Sequence, residues 1–107
     1  MPFEQYHEPT SELSQETRSF ARVIVSMGEE ADAINWYEQR MAVESDAEAI
    51  QIMGNAQQEE FKHLLMDMEW LLRRKPVLKQ LAQAILFKEG SILENAEEAE
   101  DRIVHGG

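Results

Sequence analysis

Apolar residues recur at helical period along most of this chain. Leu13, Phe20, Met27, Ile34 and Met41 follow one another at intervals of seven, with Thr17, Ile24 and Ala31 beside them. That is the stripe of an amphipathic helix, and it predicts a long first helix beginning near Ser11. No proline interrupts it, and Gly28 costs it only about 1 kcal/mol relative to alanine. Ser45-Asp46-Ala47-Glu48 predicts a restart. Ser45 and Glu48 have capping-box spacing, and Asp46 is the alternative cap. The second helix then runs to about Arg74, with Ile50, Met53, Ala56, Glu60, Leu64 and Leu71 along its stripe, and Lys75-Pro76 ends or kinks it. The short connection makes the first two helices antiparallel neighbours. Val77 to Phe87 reads as a shorter third helix closed by Gly90, and Ser91 to Glu94 repeats the capping spacing ahead of a last one. Residues 1–10 read as irregular, and residues 91–107 as an acidic tail that is mobile or weakly docked. The expected fold class is all-α, one domain over 1–107, with two long antiparallel helices and a short C-terminal helix.

Such a chain cannot bury itself well. Its 107 residues remove little surface from water, and two amphipathic helices leave an apolar stripe bare. The simplest cover is a second copy, giving a homodimer and a four-helix bundle. The net charge of −11 disfavours nucleic acid and anionic membranes and suits cations, although solubility alone accounts for it equally well. No cysteine is present, which excludes disulfides, thiol catalysis and cysteine-rich metal sites. No apolar run approaches the ~20 residues of a membrane span. The polar start shows no signal peptide, so a cytoplasmic protein is expected.

The informative residues are the polar ones that interrupt the stripes. Glu30 lies between Met27 and Ile34, with Tyr37 one heptad on. Glu60 falls on the second stripe, His63 follows at i+3, and Asp67 one turn further. A carboxylate on a buried face needs a proton, a hydrogen bond or a cation. Helical di-iron sites use two Glu-x-x-His pairs and one glutamate from each of two other helices. This chain offers one pair, Glu60 and His63, and one glutamate, Glu30, which is half of that set. Two copies would complete it. Glu60 would bridge the ions, Glu30 and His63 would be terminal ligands, and Asp67 would orient His63. Each residue taken singly has a plainer role: a chance Glu-x-x-His, a surface histidine, a glutamate at the edge of the stripe, a tyrosine packing with its hydroxyl at the rim. The methionines read as core fillers. Glu29, Asp32 and Trp36 share a face beside Glu30; they could hold a hydrated cation at the mouth of the site, or form an ordinary solvated face.

Several segments resemble the encapsulated ferritins. They are Glu29-Glu30-Ala31-Asp32-Ala33-Ile34-Asn35-Trp36-Tyr37-Glu38-Gln39-Arg40, Glu59-Glu60-Phe61-Lys62-His63 and Met68-Glu69-Trp70-Leu71, with His7-Glu8-Pro9 and Leu86-Phe87-Lys88-Glu89-Gly90 in support. The resemblance spans nearly the whole chain except about its last dozen residues. It implies a ferritin-like half-bundle whose dimers form the iron site and assemble into a ring, typically a decamer. It implies that Glu30, Glu60 and His63 are ferroxidase ligands and that Tyr37 lines their site. It also implies that Glu29 and Asp32 are carboxylates of a metal intake site, with Trp36 nearby. Asp32 stands where the family often has glutamate, one methylene longer. Family members are carried inside an encapsulin nanocompartment, usually by a C-terminal peptide with a Gly-Ser-Leu core; none occurs before Gly107.

The function this implies is oxidation of Fe(II) to Fe(III) by dioxygen at a di-iron site between two subunits, for iron storage and detoxification with an encapsulin shell. Other divalent metals can substitute, because the ligands alone do not select iron. Two alternatives stand beside it: a di-metal carboxylate oxidoreductase acting on another substrate, and a helical interaction module without chemistry.

Overall fold

The computed structural model describes residues 5–106. The start of the irregular N-terminus, residues 1–4, and Gly107 lie outside the described residues. Four α-helices and one short 3-10 turn make up the regular structure of those residues, which contain no strand. The chain comprises two compact units, one ending at Glu69 and the other starting at Trp70.

The first unit is a helical hairpin. The turn Thr10–Glu12 precedes α1, which spans Gln15–Val43. The helix starts four residues later than the apolar pattern suggests. Ser14 is its N-cap: its hydroxyl accepts from the Thr17 amide at 3.1 Å, which satisfies one of the amides a helix start leaves unpaired. Leu13, the first residue of the stripe, is extended and stands outside the helix. At the other end Glu44 takes an extended backbone, and its carboxylate accepts from the amides of Ser45 and Asp46 at 3.1 Å each. Of the two candidate caps for α2, Ala47–Arg74, it is Asp46 that acts: its Oδ2 accepts from Ala49 N at 2.8 Å.

α1 and α2 run antiparallel, as cross-helix contacts show. Met41 Sδ comes within 3.7 Å of the position a Cβ on Gly54 would take, and Gln57 reaches back to Ile34 and Glu38. Rising numbers on one helix thus meet falling numbers on the other. Burial is shallow throughout. Among the described residues only Leu71 and Ala99 are buried apolar side chains, at 3% and 1% exposure. Ile52, Leu65 and Met66 on α2 are more than half exposed, so the single chain leaves much of its apolar surface in water. No helix among the described residues is long and apolar enough to cross a membrane.

The second unit holds the last turn of α2 and two short helices. α3 spans Pro76–Ile85, separated from α2 by Lys75 alone. Pro76 sits at the first helical position, where its missing N–H costs nothing. α4 spans Ile92–Ile103 and is capped by Ser91, whose hydroxyl accepts from Glu94 N at 3.2 Å. The acidic stretch expected to be mobile or weakly docked therefore contains an ordered helix, and that helix packs on α3. Ala99 is buried on it, and Asn95 secures the preceding loop by donating to the Glu89 carbonyl at 3.0 Å. Ala96, Ala99 and Ile103 form the covered side of a helix whose other side is rich in glutamate.

Candidate metal centre

Three residues of separation on α2 put Glu60 and His63 on one side of the helix. His63 Nδ1 lies 3.0 Å from Glu60 Oε1. With the ring proton on Nδ1, His63 donates to the carboxylate, and Nε2 keeps its lone pair for an incoming ion. The Glu60 side chain is 22% exposed and that of His63 44%, so the pair is open to approach.

Glu30 projects from α1 within the same unit. Burial pushes its carboxyl up from 4.5 to about 7; a hydrogen bond with Asp67, the charge of Asp67 and the charge of Glu60 act in the same direction, and His63 opposes them. Glu30 Oε2 and Asp67 Oδ2 are both shut off from solvent, and neither has a donor while both groups are ionised. A hydrogen bond between two carboxyls requires a proton on one of them. Near neutral pH Glu30 is thus poised between its two forms, and a cation would replace the proton. Hard carboxylate oxygens with an imidazole nitrogen suit iron(II), manganese(II) or zinc(II), and the two orphaned oxygens are what such an ion would satisfy.

Among the described residues, no three His, Asp or Glu side chains of the single chain form a group able to hold a metal ion. One chain supplies donor arms and not a cage. Asp67 was expected to orient His63; instead it faces Glu30, and Glu60 takes the Nδ1 of His63. Tyr37, on the same side of α1 as Glu30, is half-buried, and the Arg40 guanidinium lies 5.5 Å from its ring centroid. Of the three residues on the neighbouring face, Glu29 is exposed, Asp32 half-buried and Trp36 52% exposed. They form an open helix face beside Glu30.

Gln57 has a role that its spacing alone did not disclose. It is the buried polar side chain among the described residues, at 8% exposure. Its amide donates to the Ile34 carbonyl at 3.1 Å and to Glu38 Oε1 at 2.9 Å. This double bond across the hairpin lies one turn before Glu60 on α2 and one turn after Glu30 on α1. The available signal was a polar residue one turn from Glu60, close to an otherwise apolar stripe.

Comparison with known proteins points the same way. The profile of the EncFtn-like family matches residues 5–89. A "Ferritin-like protein" of Thermotoga maritima is 38% identical over 95 residues, which cover 89% of this chain and 83% of that protein. An "Encapsulated ferritin-like protein" of Rhodospirillum rubrum is 38% identical over 86 residues, covering 80% of this chain and 61% of that longer protein. A crystal structure of a Nitrosomonas europaea protein superposes with a TM-score of 0.79 at 37% identity, over 83% of this chain and 99% of that one.

Proposed function

The chain belongs to the EncFtn-like family, the encapsulated ferritins, and from that premise we propose that it is a ferroxidase. Two copies pair through the apolar surface that one hairpin leaves exposed. Each brings Glu30 from α1 and the Glu60–His63 pair from α2. Two ferrous ions bind between them as substrate and give up one electron each to dioxygen. The Glu60–His63 contact at 3.0 Å, opposite a Glu30 whose buried oxygen lacks a donor, is the observation that carries this reading. It explains why a single chain holds no complete metal group.

Each residue has a distinct task. Glu60 holds His63 in the tautomer that presents Nε2. Glu30 releases its proton as the ion arrives. Carboxylates stabilise the higher charge of the oxidised ion, which favours electron loss. Tyr37 lines the site from the α1 side. Glu29 and Asp32, with Trp36 next to them, gather hydrated cations on the face outside. The ferric product leaves for storage elsewhere, because a ring of such dimers, a decamer in this reading, has no closed cavity. The name of the Rhodospirillum relative supports an encapsulin shell as the place of storage.

Aerobic oxidation of ferrous iron, followed by absorbance, tests this. Glu60→Ala and His63→Ala should abolish it or slow it greatly; wild-type rates in both variants would end the assignment.

A further inference from the structure

Asp67 has no part in the reaction as proposed, yet it lies against that site. It stands one turn beyond His63 on α2, so Glu60, His63 and Asp67 follow one another along one face. Its Oδ2 is shut off from solvent, as is Glu30 Oε2 on α1, and with both groups ionised neither oxygen has a donor. Glu30 and Asp67, from different helices, thus lie close enough to share a proton, and His63 is the group whose positive charge favours the ionised Glu30. With both groups ionised such an arrangement is costly unless a proton or a metal cation enters.

The charge count says which cation. In a paired site Glu30 and Glu60 from two copies supply four negative charges, with His63 neutral. That balances two divalent ions. Two trivalent ions carry two more positive charges, and Asp67 from each copy supplies the missing two. We propose that Asp67 is a metal-binding carboxylate that gives the site its affinity for trivalent ions. The inference rests on the reading of Glu30, Glu60 and His63 given above. Asp67 holds the oxidised ion more tightly than the incoming one, so release of product is slower than it would be from a site with only the two glutamates.

The test uses the intact protein and two redox-inert probes: manganese(II), titrated by calorimetry, and terbium(III), titrated by luminescence. Asp67→Asn keeps the shape and removes the charge. It should weaken terbium(III) about tenfold more than manganese(II), in the range expected when a partner of a metal site is removed. Asp67→Glu keeps the charge and should hold the ratio of the two affinities within about threefold of wild type, as a partial rescue. An unchanged ratio in Asp67→Asn overturns the proposal. Glu60→Ala and His63→Ala separate the two claims: if they bind manganese(II) like wild type, the shared site itself is wrong. Should Asp67→Asn fail to fold, wild-type crystals soaked in terbium(III) decide. An anomalous peak within about 2.6 Å of an Asp67 oxygen is expected, and terbium bound only elsewhere on the acidic surface overturns the assignment.

Discussion

Replacing Glu30 by glutamine should make the metal-free protein more stable at alkaline pH, although it destroys the metal site. In the folded chain the Glu30 carboxyl titrates at about 7 in place of 4.5, because burial and the neighbouring Asp67 and Glu60 disfavour its charge. A folded-state value raised above the unfolded one means that the unfolded chain gives up the proton more readily. Stability therefore falls as pH rises through this window: the penalty is absent below about 4.5 and complete above about 7. At full weight the shift corresponds to about 3 kcal/mol. Glu30 is only half-buried, with one oxygen closed off, so screening by water reduces this to about 1–2 kcal/mol. For a chain of this size each kcal/mol moves the melting midpoint by about 4–8 °C. Thermal melts with chelator present, at fixed protein concentration, should show wild type and Glu30→Gln nearly coincident at pH 5. At pH 8 the variant should melt roughly 5–10 °C higher. Adding manganese(II) at pH 8 should reverse the order, since only wild type gains from the ion. Parallel pH dependence of the two chelated proteins would refute the reasoning.

Three further outcomes are expected. Metal binding should release a proton from Glu30, so apparent manganese(II) affinity should rise between pH 6 and 8, and the Glu30→Gln variant should lose that rise; calorimetry in buffers of different ionisation enthalpy measures the proton directly. Gln57→Leu removes both bonds to Ile34 and Glu38 and should cost about 1–2 kcal/mol in denaturant titrations. Because the site spans two chains, metal should strengthen the dimer; sedimentation with and without ferrous iron, under anaerobic conditions, should show the heavier species gain, and no change in assembly would count against the shared site.

Local chemistry explains what was legible beforehand. The Glu60–His63 contact follows from helix geometry alone, since residues three apart share a face wherever the helix lies. The break at Lys75-Pro76 and the Ser91 cap are likewise consequences of neighbouring residues. The choices that spacing left open were also local and turned on competition between similar groups. Ser14 and not Ser11 opens α1, and Asp46 and not Ser45 caps α2. Ser14 has the extended backbone of a cap, whereas Ser11 lies inside the 3-10 turn, and spacing does not reveal that.

Periodicity and spacing sufficed for the two long amphipathic helices, the acid-and-imidazole pair on the second and the lone glutamate on the first. Each of these depends only on positions a few residues apart. What those residues face depends on how the helices meet. Asp67 acts on Glu30, the Nδ1 of His63 meets Glu60, and Gln57 clamps α1 across separations of 23 and 19 residues. Periodicity assigns each residue to a face of its own helix, but the rotation and axial slide of one helix against the other are set by packing of the whole contact surface. Partners across that surface exist only once the two helices have met.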